Sequence, residues 1–573
     1  MVAFQRVLVG PDEELGFVVT ETEGENPVAN TDEHAIRTLA EEIAAAAAAG
    51  HDAADPQQRF IPPESQSYPW AYERVAQLFD SPHAPDLAVS TLDWATGPEP
   101  GTHGALHVRQ ARAPLWFAGA GVIAGTYDLA ARAVDIAPTM LAAAGFPLID
   151  GADATGRTSS ERGRAPDVYL RRQDGRVLHE VLDPASAVER VYVFLLDGLH
   201  PTELYHRLDT EPESLPNLRR LHQRAAVVRS GSIVNFPSIT WPSHTAIGTG
   251  TWCGHHDVVN PSYWLRDEQR MVSPQGQELD TEGYASPDVE SLSEAFHRVY
   301  GDDCITAAIH APFGRSAKHA PFEGRMLCEM DELRRLGSGL RSIERTRWTD
   351  DANDHTSLFT RLDTRGTAQA IELFTSRDRP PPRFVYHELL LTDAAGHDYG
   401  PHSDGLRDAL DECDERIGRV LDAMEETGTF DDTLFVVTTD HGMAPQDVSL
   451  EANAVGHVGD NGLEVIVADP MVWLKDVAVV SERAADRRTG RVTVCTLEPD
   501  MLPIEGATVV VTVDGDEVVR EPTTEHGRAG FPTPPDVGPE DIRIEVLVDG
   551  HNPRRLRLDG SPIGPDLVRE LYS

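Results

Sequence analysis

This sequence predicts an α/β fold, a doubly wound and mostly parallel sheet flanked by helices, plus a small C-terminal β-sandwich. Three observations carry the prediction. The runs RVYVFLLDG, RFVYHELLLTD and TLFVVTTDHG are almost continuously apolar, as strands covered on both faces must be, and they alternate with helix-period segments. After about residue 488 the pattern changes to short alternating strands split by turn formers, among them GRVTVCTLEP, ATVVVTVDGDEVV and IRIEVLVDGHN. A chain of 573 residues also exceeds what one hydrophobic core serves, so more than one domain is expected.

The elements follow in order. Residues 1–60 form an N-terminal segment with a strand-like start (FQRVLVG), a polar turn region and an alanine-rich helix (HAIRTLAEEIAAAAAAG). Residues 61–150 alternate helix and strand: the helix SYPWAYERVAQLF, the apolar run PDLAVSTL, the loop GPEPGTHG, a second apolar run APLWFAGAGV and the helix VDIAPTMLAAAGF. In that last helix Asp135 is suited to cap and Pro138 to occupy the first turn. Residues 151–187 are polar and rich in turn formers and are expected to connect two halves. Residues 188–487 hold the main α/β series, whose three apolar strands end in aspartates; in open α/β sheets ligands bind beyond the carboxyl ends of the strands. Residues 488–573 make the sandwich, and GATVVVTVDGDEVVREPTTEHGRAGFPTPP resembles carboxypeptidase regulatory-like modules.

Charge narrows the function classes. The net charge is −44, and all 50 basic residues are arginine except Lys318 and Lys475, so a nucleic acid duplex would be repelled. An acidic, lysine-poor surface suits a protein kept soluble at high salt, where charge repulsion is screened within about 3 Å at 1 M. A codon bias replacing lysine with arginine accounts for the lysine count equally well. The five cysteines are scattered without a CxxC pair, which implies neither a disulfide framework nor a cysteine zinc site. No apolar run nears the roughly 18 residues of a membrane helix and no signal pattern opens the chain, so the expected location is the cytoplasm, with no membrane partner. Oligomeric state is left open.

Chemistry concentrates at the strand ends. Asp197 stands in LLDG, Asp393 and His397 in TDAAGHDYGP, and Asp440 and His441 in TTDHGM. Mixed carboxylate and imidazole ligands suit Zn²⁺, or Mn²⁺ in its place. The run NFPSITWPSHTAIGTG adds Thr240 and His244 in a proline-punctuated turn before a helix. These four motifs, in this order over about 250 residues, resemble those of the alkaline phosphatase superfamily, closest to its nucleotide pyrophosphatase/phosphodiesterase branch. The resemblance implies an alkaline phosphatase-like sheet and Thr240 as nucleophile. It implies two divalent metal ions, one held by Asp197, Asp440, His441 and Thr240, the other by Asp393, His397 and a third histidine. Asn260 falls near the asparagine that steadies a phosphate oxygen in relatives.

In the family that third histidine follows the TDHGM motif, in an HG dipeptide ahead of a terminal strand and a vDIAPTxLxxxG-type helix. Here that sequel stands after His103, in GTHGALHVRQARAPLWFAGAGV…AVDIAPTMLAAAGF, near the start of the chain. The expectation is therefore a circularly permuted catalytic domain with His103 as the ligand; His526 in TTEHGRAG and His457 in AVGHVGD are the alternatives. The implied reaction is attack by Thr240 on phosphorus, giving a phosphothreonine that water then hydrolyses. The substrate would be a small phosphorylated molecule, a nucleotide or other phosphoester. A phosphomonoesterase or phosphonate hydrolase of the same superfamily is the first alternative, and a non-catalytic metal- or ligand-binding protein the second. A sulfatase is disfavoured because no C/S-x-P-x-R motif is present. Arg315 is a candidate phosphate ligand; His200, His255, His256, His310, His387 and His402 read as structural or as outer partners of the site's ligands, and His244 as orienting the nucleophile loop.

Overall fold

The apolar runs assemble into one eight-stranded sheet in the computed structural model of the protein. The structure describes residues 2–560 apart from 11–13, 27, 92–97, 164–166, 267, 269, 275–280, 321–354, 451–464, 476–477, 486, 497–500 and 552. In chain order the sheet strands are β1 (Arg112–Gly119), β2 (Gly125–Tyr127), β3 (Ala131–Arg132), β4 (Arg190–Leu196), β5 (Ala225–Ile233), β6 (Thr306–Ile309), β7 (Phe384–Leu389) and β8 (Thr433–Thr438). In space they run β6-β7-β4-β8-β1-β5-β2, with β3 also paired to β5.

β6, β7, β4 and β8 are mutually parallel, whereas β1 is antiparallel to both its neighbours, β8 and β5. This single reversal decides where the N-terminal third of the chain delivers its residues. Leu115 pairs with Thr438 and Gly119 with Leu434, so the chain leading into β1 lies at the carboxyl edge of β8. Beyond the sheet the two segments stay in register: Gly442 N donates to Gln110 O at 2.9 Å, and Ala444 and Pro445 pair with Thr102 and Gly101.

The helices that matter below are α1 (Leu39–Ala48), α2 (Ile136–Ala143), α3 (Pro201–Thr210), α4 (Thr240–Thr249), α5 (Leu292–Tyr300), α6 (Leu391–Tyr399) and α7 (Asp404–Glu426). Both faces of the sheet are covered, which is why its strands are apolar throughout rather than alternating. Val191, Val193 and Leu195 of β4 join Leu115 and Phe117 of β1 in a core with Ile136 and Met140 of α2 and Phe296 of α5. The intervening Tyr192, Phe194 and Leu196, with Trp116, face Leu204 and Leu208 of α3 and Leu410, Ile417 and Leu421 of α7. Burying each such side chain contributes about 1.5–3 kcal/mol.

Two compact units are present. The first comprises residues 1–84, 90–263 and 271–452 and contains the sheet and its helices. The second comprises residues 85–89, 264–270 and 453–573 and contains the sandwich. One sandwich layer is Ala478–Arg483, Thr489–Cys495 and Arg528–Pro532; the other is Asp516–Pro522, Thr508–Val513, Ile542–Leu547 and Arg554–Arg557. Val492, Val494 and Phe531 pack against Val509, Val511, Ile544 and Val546 between them.

Several local readings change. Glu14–Thr22, taken from its polarity as a turn region, is a strand paired with Val2–Val9. Asp135 does not cap α2: its carboxylate accepts from Arg132 N at 2.9 Å, closing a 3-10 turn (Ala133–Asp135) ahead of the helix, and from Arg176 N at 2.8 Å. The segment 151–187 does more than connect, since Leu170, Leu178 and Val181 are buried in the sheet's core. The sandwich's first strand precedes residue 488, because Ala478–Arg483 pairs antiparallel with Thr489–Cys495.

Candidate active site

Five segments meet at the carboxyl edge of the sheet. β4 ends at Leu196, which puts Asp197 at its tip; β8 ends at Thr438, which puts Asp440 and His441 two and three residues beyond. Asp393 lies within the first turn of α6 rather than at a strand end, and its i,i+4 spacing to His397 brings the two side chains to one helix face. Thr240 is the first residue of α4, a helix buried at every position but the partly buried Trp241, capped by Gly250 and carrying Pro242 in its first turn. The fifth segment is the 101–103 stretch, placed by its pairing with 444–445.

The distances divide the residues into two adjoining groups. His441 Nε2 is 3.1 Å from Asp440 Oδ2, 3.5 Å from Asp197 Oδ1 and 3.3 Å from Thr240 Oγ1. Asp393 Oδ1 is 3.4 Å from His397 Nε2 and 3.7 Å from His103 Nε2, and the two imidazole nitrogens are 3.1 Å apart. The His103 ring stacks on His441 with centroids 3.6 Å apart. Ligand-type atoms of His103, Asp393 and His397, and likewise of Asp197, Asp393 and His441, lie within 4.8 Å of one another.

Proton positions follow from the partners. Nδ1 of His103, His397 and His441 faces the backbone carbonyls of Ser238 (3.2 Å), Gly101 (3.0 Å) and Gly442 (3.0 Å). A carbonyl only accepts, so each Nδ1 carries its proton and each Nε2 turns toward the shared space. The carboxylate atoms Asp197 Oδ1, Asp393 Oδ1 and Asp440 Oδ2 are buried there without a hydrogen-bond donor. Buried carboxylate oxygens and imidazole Nε2 atoms aimed at one another are a donor set that fits divalent cations.

Electrostatics agree. Burial, and then repulsion from Asp440, Asp393 and Glu388, pushes Asp197 well above the usual carboxylate range. Asp393 is instead held low, because His397, His103 and His441 outweigh its burial. Burial and neighbouring His441 drive His103 down to about 3, so its ring is neutral at pH 7. His397 is also buried, yet Asp393 and Glu99 raise it well above the ordinary histidine value.

A family model described as type I phosphodiesterase / nucleotide pyrophosphatase matches residues 191–493, more than half of the chain. The chain belongs to this family, within the alkaline phosphatase superfamily. Among curated relatives of this phosphodiesterase-family chain, ectonucleotide pyrophosphatase/phosphodiesterase 1 of Saccharomyces cerevisiae is 22% identical over 271 residues, covering 46% of this chain and 35% of that protein. A pyrophosphatase/phosphodiesterase of Schizosaccharomyces pombe is 23% identical over 255 residues, covering 44% and 45%. The chain thus spans less than half the length of these relatives. Among solved structures, murine ectonucleotide pyrophosphatase/phosphodiesterase 5 aligns at 16% identity and TM-score 0.32, covering 58% of this chain and 74% of that one.

Asn260 is buried and donates through its amide to Ser262 O at 2.9 Å, a bond within its own loop. Arg315 is committed to Glu294 at 3.0 Å and to the carbonyls of Ser286 and Val289, which corrects its reading as a phosphate ligand. His526 is exposed in a sandwich turn, 3.6 Å from Glu525. His457 lies outside the described residues.

Two contributors escaped the sequence reading. Glu388 of β7 is buried 2.9 Å from His244 Nε2, and it holds that imidazole above its ordinary value despite burial. A lone glutamate inside the apolar run FVYHELLL was the available signal. Gly198 follows Asp197 with φ +62°, and a Cβ there would stand 2.6 Å from Asp393 Oδ1. Only glycine lets the two carboxylates approach, and its N–H also donates to Asp440 Oδ1 at 3.2 Å.

Proposed function

We propose that the protein is a metal-dependent phosphoric ester hydrolase acting on phosphodiesters, with Thr240 as nucleophile and a circularly permuted catalytic domain in which His103 completes the second metal site. The observation that carries this reading is the convergence of His103, His397 and His441, each with Nδ1 on a backbone carbonyl, on three buried carboxylates beside the Thr240 hydroxyl. The permutation rests on two further facts. β1, which precedes every other catalytic strand in the chain, sits between β8 and β5 in the sheet, and the family match begins only at residue 191.

Asp197, Asp440, His441 and Thr240 would hold one divalent cation, Zn²⁺ by ligand type, and Asp393, His397 and His103 the other. When bound, the cations supply the charge that lowers the pKa of the attacking hydroxyl and neutralises the leaving oxygen. Thr240 Oγ attacks phosphorus in line, forming the O–P bond as the ester oxygen departs, and water then cleaves the resulting phosphothreonine to restore the hydroxyl. The position of Thr240 at the start of α4 adds backbone N–H groups and the positive end of the helix dipole where phosphate charge gathers. His244, clamped by Glu388 in the next turn, holds that start in place. Because the chain's net charge is −44, a phosphorylated substrate must be drawn by this local positive charge.

Hydrolysis of a p-nitrophenyl phosphodiester with added Zn²⁺ or Mn²⁺ tests the proposal. The wild type should turn it over and Thr240→Ala should not, while Thr240→Ala still binds metal. Equal rates from both would overturn it.

A further inference from the structure

A second histidine–carboxylate cluster lies behind the candidate active site, in residues that both the sequence reading and the mechanism leave unused. Glu42 of α1, His200 just before α3 and His402 just before α7 are all buried, and one ligand-type atom from each lies within 4.8 Å of the others. His200 Nε2 is 3.2 Å from Glu42 Oε1, and His402 Nε2 is 2.8 Å from Glu42 Oε2. Donor atoms around a tetrahedral zinc at about 2.0–2.2 Å stand roughly 3.3 Å apart, which the His200–Glu42 spacing matches, whereas the His402–Glu42 spacing is that of a hydrogen bond.

The outer contacts are of the kind that orients metal ligands. His402 Nδ1 faces the Glu203 carboxylate at 3.5 Å, and His200 Nδ1 lies 2.7 Å from Thr202 Oγ1, with Thr202 N–H at 3.3 Å. An oxygen stands at the far nitrogen of each imidazole and each Nε2 turns to the same carboxylate; the Thr202 N–H also donates to His200 Nδ1, a contact that favours the proton on Nε2 and that a bound cation would have to displace. Thr202 Oγ1 donates to Glu42 Oε1 at 3.1 Å, so Glu42, His200 and His402 are the three protein donors. Glu42 stays ionised, since His200, Arg109 and His402 overcome its burial, and burial keeps His200 neutral.

We propose that Glu42, His200 and His402 form a third, structural divalent-cation site with zinc-type ligands, distinct from the two catalytic ones. Its position suggests its use. His200 is three residues after Asp197 and His402 five after His397, so a cation here would tie α1 to both loops that present catalytic ligands. The rival occupant is protons: each Nε2–H donating to Glu42, in an ion network that Arg109 closes at 3.4 Å.

The two are separated by metal content of the full chain carrying Asp393→Ala and Asp440→Ala, which disables both catalytic sites. After loading with Zn²⁺ and desalting, elemental mass spectrometry should find about one zinc per chain, falling to about zero on adding Glu42→Gln or His402→Asn. Loaded with Co²⁺, the same background should show visible d–d absorption that His402→Asn abolishes. A folded background chain without zinc, or one keeping its zinc through both added changes, overturns the proposal. Should the combined variants not fold, Glu42→Gln in the otherwise wild-type chain must lower the zinc content by about one; an unchanged content overturns it equally.

Discussion

Replacing His103 with alanine tests the proposed permuted arrangement at one atom. The His103 imidazole is neutral at pH 7, driven down to about 3 by burial and by His441, and its Nδ1–H is spent on Ser238 O at 3.2 Å. Nε2 is left facing Asp393 and His397, and its removal deletes one of three protein donors. Zinc bound by four protein ligands is worth about 10–16 kcal/mol at pH 7, or about 3 kcal/mol per ligand. At about 1.4 kcal/mol per tenfold, His103→Ala should weaken the second metal roughly 10²-fold. The first metal should weaken less, through loss of the stack that steadies His441 at 3.6 Å. Competition with a chelator of known zinc affinity measures both steps, and phosphodiester hydrolysis should fall with the second. His526→Ala is the control. If His103→Ala binds both catalytic metals as the wild type does while His526→Ala loses one, the assignment of His103 and the permutation fail together.

Three further predictions use other parts of the fold. Gly442→Ala should cost at least about 3 kcal/mol or abolish soluble expression, because its Cβ would meet Arg109 O at 2.2 Å and Arg112 O at 2.9 Å, backbone atoms with no room to yield; a near-neutral urea midpoint would refute that packing. Asp174 is held down to about 2, where burial is outweighed by His255 at 2.6 Å, Arg172 and the Trp252 N–H. A depressed carboxylate contributes stability above its unfolded value near 3.8 and loses it as pH falls through about 2, so Asp174→Asn should lose about 2 kcal/mol at pH 6 and little at pH 2, by urea titration at each pH. Finally, with a net charge of −44, Tm should rise between about 0.1 M and 2 M KCl as repulsion is screened; a flat response would leave codon bias as the account of the missing lysines.

Much of the site was legible because its residues stand in local patterns. Asp197, Asp393 and Asp440 follow apolar runs, and a strand buried on both faces can end in a charge only where it leaves the core. The pairing of Asp393 with His397 needs only four residues of helix. The place of His103 beside Asp393 and His397 was expected from the resemblance of its segment to the family's terminal one. Arg315 was misjudged because its partner, Glu294, is chosen by packing, whereas Asp135 closes a local turn on Arg132 three residues before it, one step ahead of the helix it was expected to cap. The Glu42, His200 and His402 cluster was missed for the same reason as the Arg315 pairing, its members lying some 160 and 200 residues apart.

By itself, then, the sequence determined the fold class, the two-faced burial of the strands, the sandwich and most of the side chains that meet in the candidate site, since periodicity and short motifs depend on neighbours within a few residues. Only the tertiary structure decided that β1 runs against β8, and with that the meeting of His103 with Asp393 and His397, because strand direction is set by how a whole sheet closes its hydrogen bonds and covers its faces.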